Sequence, residues 1–207
     1  MSGDGALMAL LRVIARHDDA AALALLAATP ELARARIVAG ASRADPKTYF
    51  LEEIRHHVYA GDTALHLAAA AYRVKVMRKL LAMGADVAAQ NRRGQVPLHY
   101  AVDGGPGTTW WNPSAQAQAV AVLLKAGGDI HAVDKGGVTA LHRAVRNRCT
   151  GAVRALLEGG ADMRRKSKSG STAVQLATQT TGRSGTGLAE TKAQQAEIVA
   201  LLNQFGG

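Results

Sequence analysis

The amino-acid sequence predicts an all-α fold in which pairs of helices repeat along the chain. Alanine accounts for 42 of the 207 residues, whereas aromatic residues make up only 4%. Small side chains suit close-packed helices, and β-sheets favour aromatic and β-branched residues instead. A short sequence box recurs at steps of 33, 43 and 33 residues, and a Leu-Leu pair follows each copy. A unit of this length cannot bury its own apolar side, so the units are expected to stack.

The box begins with glycine and leads into the first helix of each unit. Its copies are Gly-Asp-Thr-Ala-Leu-His at 61–66, Gly-Gln-Val-Pro-Leu-His at 94–99, Gly-Val-Thr-Ala-Leu-His at 137–142 and Gly-Ser-Thr-Ala-Val-Gln at 170–175. Leu-Leu pairs precede a Gly-Ala-Asp or Gly-Gly-Asp stretch at 84–86, 127–129 and 160–162. These two boxes with a 33-residue period resemble the ankyrin repeat. The resemblance implies an ankyrin-like helical repeat solenoid of about five repeats, with short β-hairpin-type turns between units.

The units are expected to form a single domain over residues 1–207. Its predicted parts are a degenerate N-terminal cap repeat with a long insertion at 6–57, internal repeats at 58–90, 91–133 and 134–166, and a C-terminal cap repeat at 167–207. Thr63 and Thr139 are the predicted N-caps of two first helices. Gly84 supplies the left-handed residue that ends a second helix.

Three segments depart from the regular period. The first connection carries 22 extra residues, including a predicted short helix at 48–57, and later insertions lie at 104–113 and 181–187. Both later insertions fall between the first and second helices of their repeats. We therefore expect a cleft between them that takes an anionic peptide or small ligand. Its predicted side chains are Trp110, Trp111, Arg146, Arg148 and Arg183. The alternative is that each loop packs on its own helices.

Basic residues concentrate in one part of the chain. The net charge is +9, and residues 135–168 contribute nine basic and two acidic side chains. Tyr59, Arg92, Lys135 and Lys168 occupy equivalent turn positions, and Arg93 lies beside the second. In a stacked array these side chains form a column along the hairpin tips. The resemblance implies that another protein binds through the tips and the concave face, and the column predicts that this partner is acidic.

A second interpretation is that region 135–168 binds an anionic ligand or nucleic acid. Specific recognition of nucleic acid needs side chains that read or stack on bases, and few aromatic residues are available. The sequence therefore predicts only weak, sequence-independent binding of DNA or RNA, which falls steeply with salt.

The histidines raise the question of a metal site. The resemblance implies that His66, His99 and His142 bond the hairpin backbone, and one His per unit lacks the second ligand of a zinc site. On a helix, Glu52 and Glu53 would each lie one turn before His56 and His57, a spacing that can hold a divalent ion. An exposed helix with charged pairs is the alternative, and the sequence does not decide between the two.

No catalytic motif, nucleotide fingerprint or Cys/His cluster was found, so the protein is expected to be non-enzymatic and to need no cofactor. Arg146 and Arg148 precede the single cysteine, Cys149, and nearby arginines lower the pKa of a thiol, but the sequence shows no general base paired with it. One cysteine excludes an intrachain disulfide and favours a reducing, cytoplasmic location. No apolar run reaches the length of a membrane span, and we expect a monomer.

Overall fold

The structure is a computed structural model that describes residues 4–179 and 189–206. Within these residues the helices follow one another in pairs. They are α1 (Gly5–Ala15), α2 (Asp19–Ala28), α3 (Ala64–Ala70), α4 (Val74–Ala82), α5 (Pro97–Ala101), α6 (Pro113–Lys125), α7 (Ala140–Arg146), α8 (Thr150–Glu158), α9 (Ala173–Thr178) and α10 (Ala189–Gly206). Short 3₁₀ helices span Pro30–Ala33 and Glu52–Ile54, and two short strands are β1 (Phe50–Leu51) and β2 (His56–His57).

The helices contact one another in two layers. The first helices of the pairs pack in the order α1, α3, α5, α7, α9, and the second helices pack in the order α2, α4, α6, α8, α10. The buried core runs between the layers and is made mainly of Leu, Val, Ile and Ala. The chain is therefore mostly helical and has the layered arrangement of a helical repeat fold.

Capping boxes begin α3, α7 and α9, as predicted at Thr63 and Thr139. The Thr63 side chain accepts a hydrogen bond from the backbone N–H of His66, and the His66 ring accepts one from the N–H of Thr63 at 3.2 Å. The other ring nitrogen of His66 donates to the Gln95 carbonyl at 3.1 Å in the next hairpin. His99 and His142 make the same bond to the next hairpins. The predicted structural role of these histidines is confirmed.

Backbone hydrogen bonds join the hairpin tips of successive units. The N–H of Arg92 donates to the Ala60 carbonyl at 2.7 Å, and the N–H of Lys135 donates to the Arg93 carbonyl at 2.9 Å. Lys168 repeats the bond to the tip before it. Gly137 lies at φ 71°, and a Cβ there would approach the Lys168 nitrogen to 2.9 Å. Glycine at the tip therefore allows the close approach that the bonds require.

The predicted helix over 48–57 is wrong. Strands β1 and β2 form a small antiparallel hairpin in which Phe50 pairs with His57, and the 3₁₀ turn lies between them. The segment is fixed by long-range contacts, because Tyr49 donates its hydroxyl hydrogen to Asp4 at 3.0 Å and Val58 accepts from the N–H of Ala41. These contacts outweigh local helix propensity. The first insertion thus lies against the tip at 58–63.

Candidate functional site

The first candidate surface is the tip row, which we define as Tyr59, Arg92, Arg93, Lys135 and Lys168. The four basic side chains are exposed. Tyr59 is half-buried, and the guanidinium carbons of Arg92 and Arg93 lie 5.1 and 5.0 Å from its ring centroid. Arg93 also donates to the Tyr59 hydroxyl at 2.9 Å. Tyr59 therefore holds two arginines in place by cation–π contact.

A cavity of about 580 Å³ adjoins the tip row. Two of its walls come from the insertions: residues 54–57 of the first, and residues 104 and 110 of the second together with residue 103 directly before it. The inner helix α7 supplies Arg143 and Arg146, and the tips supply Tyr59, Arg93 and Asp134. Segments far apart in the sequence thus meet around one polar cavity on the side of the first helices.

A carboxylate lies at the centre of the cavity wall. Asp103 forms an ion pair with Arg143 at 2.8 Å, and its other oxygen lies 3.5 Å from Nδ1 of His56. Burial lowers the pKa of His56 to about 4, although the Asp103 carboxylate opposes this shift. His56 is therefore neutral near pH 7, and its ring packs on Tyr100 with centroids 4.6 Å apart.

Two nitrogen atoms of this cluster are buried and make no hydrogen bond within the part of the chain that the structure describes. They are Nε2 of His56 and one terminal nitrogen of Arg143. Buried polar atoms normally have partners, and an unpaired one costs about 1–3 kcal/mol. Both atoms belong to side chains that line the cavity, and both lack the partner that buried polar groups normally have.

The second insertion is folded onto its neighbours. The backbone carbonyl of Asp103 accepts from the Tyr72 hydroxyl and, at 3.1 Å, from the side chain of Gln116. Gln116 in turn accepts from the indole N–H of Trp111 at 3.0 Å. Trp111 therefore anchors the loop. The half-buried Trp110 lines the cavity.

The two predicted cleft arginines of α7 and its turn have different positions. Arg146 is half-buried and lines the cavity. Arg148 is 1% exposed and does not line it. Its guanidinium donates to the carbonyls of Leu176, Ala177 and Gln179 at the end of α9. The placement of Arg148 on a cleft floor was wrong, because its side chain turns inward to cap the next helix.

The remaining part of the predicted cleft is not described. Arg183 and the loop 181–187 lie outside the described residues. The cavity that the structure describes is formed instead by the first and second insertions together with the tips.

The proposed metal ligands at 52–57 do not come together. Glu52 and Glu53 are exposed in the 3₁₀ turn, and Glu53 accepts from Arg16 at 3.2 Å. His56 and His57 lie on the following strand, so the helical spacing does not apply. Among residues 4–179 and 189–206 no group of three or more His, Cys, Asp or Glu side chains is arranged to hold a metal ion.

Cys149 is buried, and its thiol donates to the Gly104 carbonyl at 3.2 Å. Burial raises the pKa of this thiol to about 12. The thiolate that a nucleophile requires is therefore not populated near neutral pH. The two arginines that precede Cys149 in the sequence do not offset the effect of burial on the pKa of its thiol.

Sequence reasoning missed Asp103, Arg143, Arg55, His56 and His57 as neighbours of one cavity. A usable signal was present, since Asp103 directly precedes the second insertion and His57 ends the first, two residues before a tip. The hairpin at 50–57 was needed to bring them together, and its pairing cannot be read from a local pattern.

The fold and the two surfaces define a helical repeat protein with a basic edge and a polar cavity. Family models agree with this class: the ankyrin repeat model matches residues 60–92, and the model for many copies of the ankyrin repeat matches residues 123–177. The chain therefore carries ankyrin repeats in these two segments. In the described residues, none of the helices combines the length and apolar character needed to cross a membrane.

Proposed function

We propose that the protein is a non-enzymatic interaction module, a solenoid of five repeats that binds an acidic protein surface through the tip row and the concave face. Ankyrin repeats are protein-interaction modules in general. The observation that carries the proposal is the tip row, where exposed basic side chains stand on tips joined by backbone hydrogen bonds. A row whose spacing is fixed loses little entropy when it binds.

The other basic side chains support a protein partner over nucleic acid. Of the nine in region 135–168, Arg143 pairs with Asp103, Arg148 is buried, and Arg154 pairs with Glu197 at 3.4 Å. A phosphate backbone is bound through many separate cationic contacts. Because these three cations are paired or buried within the protein, they are not available for phosphate contacts. Weak and non-specific binding of nucleic acid is therefore the second candidate function.

The test compares two charge-reversal variants. The tip variant changes Arg92, Arg93, Lys135 and Lys168 to Glu. The control changes four exposed basic residues of the second helices α4 and α6 to Glu, namely Lys75, Arg78, Lys79 and Lys125. Immobilised protein captures partners from a lysate at about 0.05 and 0.5 M salt, where screening differs severalfold. Wild type and control should retain one acidic protein at low salt, and the tip variant should lose it.

Equal capture by the tip variant would remove the tip row from the interface. Tight binding of one DNA or RNA sequence at physiological salt would favour the second candidate. Gel filtration of the isolated chain tests the proposed monomer, and fractionation of the cells that make it tests the proposed cytoplasmic location.

A further inference from the structure

The two insertions described by the structure converge on the same cavity. A regular 33-residue unit needs neither the hairpin of β1 and β2 nor the loop that follows α5 for stacking. Yet His56 of the first insertion and Trp110 of the second line one cavity, and Asp103, directly before the second insertion, is held beside His56 by bonds to its backbone carbonyl. Both additions to the repeat therefore contribute to one site.

The cavity carries an excess of positive charge. Its charged lining side chains, counting arginine and aspartate, are Arg55, Arg93, Arg143, Arg146, Asp103 and Asp134. The lining residues thus include four arginines and two aspartates, a formal excess of two positive charges. Asp134 is also engaged in its own turn, since its oxygen accepts from the N–H groups of Gly136 and Val138 at 2.8 and 3.0 Å.

Arg143 is the best-placed group to recognise a ligand. Asp103 occupies one of its terminal nitrogens, and the other is buried without a partner in the described residues. A guanidinium forms its strongest contacts as a two-pronged donor to oxyanions. An oxyanion bound beside Arg143 would supply the acceptor that this nitrogen lacks once the guanidinium turns toward the cavity.

We propose that this cavity binds a phosphate group in its doubly negative form. Phosphate monoesters carry close to two negative charges at neutral pH, which matches the excess of two, whereas a carboxylate would leave one charge unbalanced. The volume of about 580 Å³ lies in the range of small-molecule sites and is much larger than a phosphate alone. The phosphate therefore belongs to a larger molecule, and the half-buried Trp110 offers a surface for the rest of it.

The source of the phosphate is either a small metabolite or a phosphorylated side chain of a protein. The cavity shares Tyr59 and Arg93 with the tip row, but phosphate binding is tested without any partner. A chain that binds no phosphate can still capture an acidic protein, and the reverse also holds, so failure of one proposal is distinguishable from failure of the other.

The first test is calorimetric titration of the full chain with inorganic phosphate, with acetate at equal ionic strength as the reference. Wild type should bind phosphate and not acetate. Changing Arg143 and Arg146 to Gln should weaken binding about tenfold or more, because charged hydrogen bonds are lost. The control changes Arg78 in α4 and Lys125 in α6 to Gln. It removes the same number of positive charges and should leave the affinity for phosphate unchanged.

The second test uses a variant that is expected to bind phosphate more tightly than wild type, not more weakly. Asp103→Asn removes a carboxylate that competes for Arg143 and repels the ligand, so phosphate binding should tighten about threefold or more. A residue with a purely structural role would not give this gain. If the Arg143 variant fails to fold, as judged by circular dichroism, Arg55→Gln with Arg146→Gln replaces it.

The third test distinguishes the two sources. Ribose 5-phosphate is compared with a phosphoserine peptide and its unphosphorylated form. Either phosphorylated compound binding more tightly than inorganic phosphate supports the site and identifies the source. The proposal is overturned if phosphate binds no better than acetate, if the paired arginine variant binds as wild type does, or if Asp103→Asn leaves the affinity unchanged or lowers it.

Discussion

Replacing Arg148 should uncouple the last helix pair from the rest of the stack. Its guanidinium bonds the carbonyls of Leu176 and Gln179, which have no second partner among the described bonds, and that of Ala177, which keeps a bond from Gln195. Arg148→Met therefore removes the partner that the structure describes for each of these two carbonyls. At about 1–3 kcal/mol each, lessened by partial exposure, the loss in the free energy of unfolding should be about 2–4 kcal/mol.

The matched control is Arg154→Met, which removes the surface pair with Glu197 of α10. These side chains are 46% and 51% exposed, so the pair contributes less than about 1 kcal/mol. Arg148→Gly gives a third comparison. Arg148 has φ 61°, a left-handed conformation, and glycine should recover about 1 kcal/mol relative to Met.

Urea unfolding gives the free energies, and amide hydrogen exchange locates the loss. In Arg148→Met the amides of α9 and α10 should lose protection while those of α3 and α5 keep it, since each unit contacts only its neighbours. If Arg148→Met unfolds within 1 kcal/mol of Arg154→Met, or if all helices lose protection together, the capping role assigned to Arg148 is refuted.

Three further predictions concern single positions. Folded His66 has a pKa lowered to about 3, mainly by burial, so the unfolded chain takes up more protons below pH 6.5 and stability should fall as the pH drops toward 3. His66→Gln should reduce this slope in urea unfolding measured from pH 7 to 4, and an unchanged slope would contradict it. Gly137→Ala should lower the free energy of unfolding by about 1–2 kcal/mol because Gly137 has a positive φ. Gly151→Ala in α8, where the added Cβ meets only ordinary contacts, should not destabilise the protein. Equal melting temperatures of the two variants would contradict this prediction. Cys149 should react with a thiol reagent only at the rate of unfolding, and fast labelling of the native protein would show that it is accessible.

Features set by a repeated local pattern were predicted well from the sequence. The capping residue Thr63, the helix-ending Gly84, which has φ 82°, and the hairpin bond of His66 all agree with the structure. Each depends on residues within one unit or on the same residues one period away. The period itself therefore carries the information.

The errors lie where long-range contacts decide. Residues 48–57 were assigned a helix from their local composition, but Tyr49 is fixed by Asp4 and Val58 by Ala41, far earlier in the chain. Arg148 carries a charge, and a charge in a turn is normally exposed. Its burial follows from unpaired carbonyls at the end of α9, which the sequence does not display.

The bonds that join the hairpin tips have a mechanical consequence. The N–H of Arg92 bonds the tip before it, and Lys135 and Lys168 continue the chain of bonds from unit to unit. When the protein is pulled from its two ends, these contacts bear the load in series. The weakest junction yields first, and the force then falls on the next one. Extension should therefore proceed in steps of about one repeat, as one junction after another gives way.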